Sequence, residues 1–177
     1  YGEVSVGTNA TLADTDTDNV TDGDEVYGWT YYYQDLDGNN IAAHGHSDPR
    51  VGHIDSDNDW LNDSVEYHMS DGLNNDSDFD GFKDNLEKGG GTDYLDQDSD
   101  NDYLPDGAMD LNFDGDKMDI GEYEDKNCNG IFCETGETSP LMWDTDHDNV
   151  SDGLEYRVVR FRTNAVNASG GQRTWGA

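Results

Sequence analysis

Basic residues are scarce in this chain. Lys and Arg together number 9 against 41 Asp and Glu, a net charge of −32. Charge of one sign at that level opposes compaction and excludes a nucleic-acid partner, whose phosphates would be repelled. Hydrophobic residues are also few, at 32%, too little to offset chain entropy with an ordinary core. No apolar run is long enough to span a bilayer, so membrane insertion is not expected. Gly89-Gly90-Gly91 lacks a following Lys-Ser/Thr and reads as a linker turn, not a phosphate loop. No acid, base and nucleophile constellation stands out, so the chain is not expected to be an enzyme and has no candidate catalytic residue. His44, His46 and His53 are set aside as a transition-metal group for the same reason. Cysteine is limited to Cys128 and Cys133.

Aromatic residues, in contrast, are not scarce: Tyr 10, Phe 5 and Trp 4 are too many for a permanently disordered tail. The two tendencies are reconciled if divalent ions neutralise the acids, because ion binding then becomes folding free energy. Length points to a single module spanning 1–177.

The acids follow a spacing. Asp14, Asp16, Asp18, Asp22 and Glu25 occupy positions 1, 3, 5, 9 and 12 of one loop. The set returns at Asp55, Asp57, Asp59, Asp63, Glu66, at Asp76, Asp78, Asp80, Asp84, Glu87, and at Asp144, Asp146, Asp148, Asp152, Glu155. Alternate residues turn carboxylates inward, position 7 offers a backbone carbonyl (Val20, Leu61, Phe82, Val150), and a bidentate Glu closes the shell. This is calcium-loop spacing, so multiple Ca²⁺ ions are the expected cofactor.

Three further loops depart from it. Asp98, Asp100, Asp102, the Leu104 carbonyl and Asp106 begin one, but position 12 is Met109, and Asp110 is the expected closing acid. Asp110, Asn112, Asp114, Asp119 and Glu122 form another, and Asp125, Asn127, Asn129, Glu134 and Glu137 repeat it, one residue longer than the standard loop. These two read as weaker calcium loops or as acidic turns without an ion. In chain order the seven loops are 14–25, 55–66, 76–87, 98–110, 110–122, 125–137 and 144–155. The first residues of the second, third and fourth are 21 and 22 residues apart, a short solenoid-like period.

Position 6, where a sharp turn favours Gly, is Asn19, Trp60, Gly81 and Asn149 in the four complete copies, which makes the Trp60 loop the least regular. Position 7 is apolar throughout and predicts a thin ladder of contacts. A one- or two-turn helix is expected after position 9, with that Asp as N-cap. A Ser/Thr-Asx element precedes the loops, at Thr8, Ser47, Ser70, Thr92 and Thr138, and supplies further oxygen donors.

Residues 26–46 interrupt the array. Trp29-Thr30-Tyr31-Tyr32-Tyr33, then Asp37-Gly38, then Ile41-Ala42-Ala43 predict a β-hairpin, whose aromatics serve either cross-strand packing or a glycan. Residues 1–13 are expected to hold an N-terminal strand or half-repeat, and 156–177 a basic segment with Arg157, Arg160, Arg162 and Arg173. An acidic body with a basic tail can pair head to tail with another copy, or the tail can fold back. Cys128 and Cys133 are read as a local disulfide, with two free thiols as the alternative. Of six Asn-x-Ser/Thr sequons, Asn9 and Asn167 lie outside the acidic loops and are the candidate glycosylation sites.

The loops resemble the calcium-binding thrombospondin type 3 repeat over most of residues 8–169. Glu25-Val26-Tyr27-Gly28-Trp29-Thr30, with Ser47-Asp48-Pro49, also looks like the calcium-binding first domain of anthrax protective antigen and related binary toxins. That resemblance implies two adjacent ions per loop, bridged by the acids at positions 3, 5 and 12. The second ion of the first loop would take Ser47, the Arg50 carbonyl and Asp55. The second loop would take Ser70 and Asp76, and the third Thr92 and Asp98. Thr163-Asn164-Ala165 resembles Thr8-Asn9-Ala10, yet Ser169 stands where the completing Asp would be. The last loop is then finished by water or by another protomer.

The fold class expected is mostly irregular with small β content: a calcium-stabilised loop-repeat array with short helical turns and one hairpin. The function expected is an extracellular or cell-surface calcium-binding structural protein that joins head to tail as a filament or appendage. A monomeric calcium-stiffened spacer of an adhesin or secreted enzyme, and a carbohydrate-binding module using the Tyr/Trp hairpin, are the alternatives. The chain begins at Tyr1 and not Met, and so reads as processed or as a segment of something longer.

Overall fold

Loops whose side chains point alternately to one centre cannot pair as strands, and most of the chain is accordingly irregular. The structure, a computed structural model, describes residues 7–50, 54–111, 113, 115–117 and 122–156. The expected strand at 1–6, His53, Asn112, Asp114, Asp119, the basic segment from 157, Thr163 and Asn167 lie outside those residues. In order come α1 (Asp22–Tyr27), β1 (Trp29–Gln34), β2 (Asn40–Gly45), α2 (Asp63–Glu66) and α3 (Asp84–Gly90), with a further helical turn, α4, over 152–156. Among the described residues no helix is long and apolar enough to cross a membrane.

Each helix begins at position 9 of an acidic loop, as the sequence suggests, but the Asp there is not the N-cap. The cap is position 8: Thr21 accepts a hydrogen bond from the Asp24 amide, while Asn62 and Lys83 cap without a side-chain bond. The Asp becomes the first helical residue because its carboxylate is needed on the other side of its own loop.

The hairpin is present in the expected place. β1 and β2 are antiparallel, from Trp29 opposite Gly45 to Gln34 opposite Asn40. Its turn is closed by Gly38 N–H donating to the Asp35 carbonyl at 2.7 Å, and by the Asp35 carboxylate accepting from the Asp37 and Asn39 amides. Strand alternation puts Trp29 and Tyr31 on one face, both buried, and Thr30 and Tyr32 on the other, both exposed. The buried face lies along the acidic loops. Trp29 Nε1–H donates to the Ser70 carbonyl at 2.7 Å and Tyr31 O–H to the Ser77 carbonyl at 2.8 Å. Trp29 meets Tyr67 edge-on at 5.2 Å and Tyr33 meets Phe79 at 5.7 Å, contacts worth about 0.5–1.5 kcal/mol each beyond area burial. At its far end Gln34 N–H donates to Leu95 O, and Gln34 O accepts from Gln97 N–H. One strand thus ties down the second, third and fourth loops.

The apolar core is thin, as the composition requires. Val20, Trp29 and Tyr31 form its centre. The position-7 residues Val20, Leu61, Phe82 and Leu104 are all buried, and Val150 in the last loop is half-buried.

Candidate metal centres

All seven loops share one backbone form. Positions 4 and 6 are left-handed in the first loop (Thr17 φ 68, Asn19 φ 82), the second (Asn58 φ 61, Trp60 φ 79), the third (Phe79 φ 69, Gly81 φ 96), the fourth (Asn101 φ 63, Tyr103 φ 78) and the seventh (His147 φ 65, Asn149 φ 73). The fifth and sixth follow suit, with Phe113 φ 61, Gly115 φ 91, Cys128 φ 51 and Gly130 φ 77. This bend aims the position-6 N–H at the position-1 carboxylate. Asn19 donates to Asp14, Trp60 to Asp55, Gly81 to Asp76, Tyr103 to Asp98, Gly115 to Asp110, Gly130 to Asp125 and Asn149 to Asp144, at 2.7–3.2 Å. The irregular Trp60 loop therefore folds like the rest, at the cost of a bulky residue in left-handed backbone. The Trp60 side chain is 86% exposed and contributes no core. We expect Trp60→Gly to stabilise the ion-loaded chain by about 1 kcal/mol, read as a higher midpoint in denaturant titration; a lower midpoint would show that the strain argument is wrong.

A latch, absent from the sequence reading, holds the first, second, third, fourth and seventh loops. Position 2 is Thr15, Ser56, Ser77, Ser99 or Thr145, and its amide and hydroxyl both donate to the position-9 Asp: Asp22, Asp63, Asp84, Asp106 or Asp152. The same hydroxyl accepts from an upstream amide, at Asn9, Asp48, Asp71, Asp93 or Ser139. The hydroxyl and carboxylate spacing at positions 2 and 9 was the available signal.

The carboxylates at positions 3, 5 and 12 face inward and are only half satisfied. One oxygen of Asp18, Asp59 or Asp80 accepts from the position-7 amide at 2.6–2.8 Å. Yet Asp16 Oδ2, Asp18 Oδ2 and Glu25 Oε2 are buried and accept no hydrogen bond, nor do Asp57 Oδ2, Asp59 Oδ2 and Glu66 Oε2, or Asp78 Oδ2 and Glu87 Oε2. Such oxygens are costly to bury without a partner. Ligand oxygens of Asp16, Asp18, Glu25 and Asp63 lie within 4.8 Å of one another, as do those of Asp55, Asp57 and Asp59, of Asp76, Asp78 and Asp80, of Asp80, Glu87 and Asp106, and of Asp98, Asp100 and Asp102. These buried clusters can hold metal ions. Without one, burial pushes the carboxyl of Glu25 up to about 8 and that of Glu66 up to about 9. Burial, then the charges of Asp78 and Asp80, raises Glu87 as well.

Neighbouring segments reach into one another's loops, in part through the residues the resemblance implies. The hydroxyls are as expected: Ser47 donates to Glu25 Oε1 at 2.9 Å, Ser70 to Glu66 Oε1 at 3.1 Å and Thr92 to Glu87 Oε1 at 3.4 Å. A carboxylate that the resemblance does not imply, position 9 of the following loop, also joins. Asp63 joins the first cluster, and Asp106 joins Asp80 and Glu87. The first Asp of each loop accepts from its own position-6 amide, and Asp55, Asp76 and Asp98 group with the acids at positions 3 and 5 of their own loops. Arg50, expected to lend a carbonyl, is exposed, and its guanidinium pairs with Asp48.

The fourth and seventh loops make the same joint although two loops separate them in sequence. Gly107 N–H, at position 10 of the fourth loop, donates to Asp80 Oδ2 in the third at 2.8 Å. Gly153 N–H, at position 10 of the seventh, donates to Asp102 Oδ2 in the fourth at 2.5 Å. A Cβ at Gly107 would stand 2.5 Å from the Phe82 nitrogen, so this contact requires glycine. The first, second, third, fourth and seventh loops form one stack, and the fifth and sixth lie off it. At the end of the stack Asp146, Asp148 and Glu155 are exposed, unlike most of their buried counterparts.

Off the stack, Asn127 Nδ2 donates to Glu134 and Glu137 and Asn129 Nδ2 to Glu134, each at 3.0 Å, so the expected sixth-loop residues do converge. Asp110 accepts from the Gly115 amide as position 1 of the fifth loop. A residue not foreseen, Glu124, is fully buried; its Oε1 accepts from the Thr138 hydroxyl at 3.0 Å and its Oε2 accepts nothing. The expected disulfide is not formed: Cys128 and Cys133 are free thiols. The left-handed turn at Cys128 directs its sulfur to the Asp125 carbonyl, while Cys133 is exposed. Burial raises the Cys128 thiol to about 11, which keeps it protonated and unreactive. Asn9 is exposed, its Oδ1 accepting from Thr11.

No protein-family model matches the chain, and neither the curated proteins nor the solved structures yield a match.

Proposed function

We propose that the chain is a calcium-rigidified structural module that works outside the cell and has no catalytic role. One observation carries the reading: in loop after loop, the carboxylates at positions 3, 5 and 12 keep buried oxygens that no hydrogen bond satisfies. The donors gathered there are carboxylates and hydroxyls without thiolate or imidazole, which suits a hard cation with many oxygen ligands better than zinc. Loops of this kind saturate at the ~10⁻⁴–10⁻³ M calcium of extracellular fluids.

Within that reading the chain is a protomer that joins head to tail in a surface filament or appendage. The support is the end of the stack. Asp146, Asp148 and Glu155 stand exposed where the inner loops receive a neighbour's position-9 Asp, and a second copy presenting such a residue would bury them. The alternative is a monomeric stiffened spacer, favoured by the way β1 already ties three loops within one chain. A glycan platform finds less support, because Trp29 and Tyr31 are spent on packing. Light scattering with negative-stain microscopy separates the first two readings. Fibres or oligomers in calcium that disperse in EGTA are expected; a monomer at all concentrations in calcium would leave only the spacer.

A further inference from the structure

The fourth loop has no acid at position 12, yet the structure supplies one by a detour. After Asp106 and Gly107 the chain departs from the fourth loop, and its outgoing and returning ends, at 108–109 and 122–124, close a neck. Ala108 bridges Tyr123, Met109 N–H donates to Glu122 O, and Glu124 N–H donates to Pro105 O at 3.0 Å. Asp125 N–H then donates to the Asp106 carbonyl. Glu124 is thereby delivered to the place where a continuous loop would put its twelfth residue. Its environment repeats that of the other closing glutamates. It is fully buried, one oxygen takes a Ser/Thr hydroxyl from a downstream segment, and the other is buried without a donor. Asp100 keeps both carboxylate oxygens buried and unsatisfied in the same loop. Burial, then the charges of Asp100, Asp102 and Asp106, pushes the Glu124 carboxyl up to about 11.

Building on the calcium reading above, we propose that Glu124, backed by Thr138, is the closing ligand of a divalent-cation site formed with Asp98, Asp100 and Asp102. The site is then a clasp. Its ligands lie on both sides of that neck, so one ion fastens the fifth loop's insertion and keeps the fourth and seventh loops stacked across it. Sequence spacing could not locate this site, because its closing residue is 26 positions beyond Asp98.

The test uses the full chain, calcium alone as the probe, and three variants. Glu124→Gln keeps the acceptor for Thr138 but removes the charge. Ion count per chain is measured by calorimetry, and site identity by hydrogen exchange over residues 98–106. Glu124→Gln is expected to bind at least one calcium fewer than the parent and to lose calcium-induced protection over 98–106, whereas Asp110→Asn keeps that protection. Should Glu124→Gln fail to fold, Glu124→Asp is read instead and is expected to bind the affected ion at least tenfold more weakly. Full ion count and protection in Glu124→Gln, an unchanged affinity in Glu124→Asp, or loss of the 98–106 protection in Asp110→Asn would each overturn the assignment. A parent chain that binds no calcium would instead remove the functional reading on which it rests.

Discussion

Chelation at pH 7.4 unfolds this chain, and acid then partly restores it. The expectation follows from the sign of the carboxyl shifts. In the folded, metal-free chain, burial raises Glu25 and Asp106 to about 8, Glu66 to about 9 and Glu124 to about 11, against about 4 for unfolded Asp and Glu. A group whose folded pKa is raised stabilises the fold fully below the unfolded value and loses that contribution as pH rises through the folded value. The metal-free fold is therefore supported near pH 4 and loses that support progressively as pH rises from about 4 through the folded values of about 8 to 11, as ionised carboxylates come to crowd one another without a counterion. The loaded chain behaves oppositely, because its ions require deprotonated ligands and acid displaces them. Small-angle scattering across pH 4 to 8, with and without EGTA, checks both curves. The radius of gyration at pH 7.4 should move toward about 45 Å on chelation and shrink again on acidification. A chelated chain with the same dimensions at both pH values would remove ion-coupled folding from the account.

The parts of the fold legible in the sequence are those where one residue does one job. Alternating acids at positions 3 and 5 mark an inward-facing ring because successive side chains diverge, and five of the seven loops carry acids at both positions. The Trp29–Tyr33 run and Asp37-Gly38 mark the hairpin for a similar reason. What was hidden are the residues with two roles or with distant ones. Position-9 acids look like ligands of their own loops, yet Asp63 and Asp106 latch one loop and face the one before it. Thr15, Ser56 and Ser77 look like ordinary polar spacing until the latch is seen. Position in sequence also gave no sign of Glu124 at the fourth loop, since it comes beside that loop only where its amide meets the Pro105 carbonyl and the Asp125 amide meets that of Asp106. The aromatic hairpin was visible as an element, but that its inner face would anchor three acidic loops depends on contacts 41 and 46 residues apart.

Asp106→Ala should damage two loops, whereas Asp22→Ala should damage one. Both residues accept from the amide and hydroxyl of position 2 in their own loop: Thr15 at 2.7 and 2.8 Å for Asp22, Ser99 at 2.9 and 2.6 Å for Asp106. Removing the acceptor leaves these donors unsatisfied, costing about 1–3 kcal/mol in either case. Asp106 has a second task, since its carboxylate groups with Asp80 and Glu87 of the third loop. Loss of a fully buried charged partner from such a set typically costs about 3–5 kcal/mol, so Asp106→Ala is expected to fall well below Asp22→Ala in a denaturant titration in calcium. The ion count should separate them too, with ions lost from the third and fourth loops in Asp106→Ala and from the first alone in Asp22→Ala. Asp106→Asn is the informative intermediate, because its one amide oxygen can still receive one of the two Ser99 donors while the charge is gone; it should keep part of the latch and retain the defect in the third loop. Equal penalties for Asp22→Ala and Asp106→Ala would mean that the loops fold as independent beads. The larger penalty at Asp106 would mean that each loop is finished by the next, so that stability runs along the stack and a single missing carboxylate is felt one repeat upstream of where it sits.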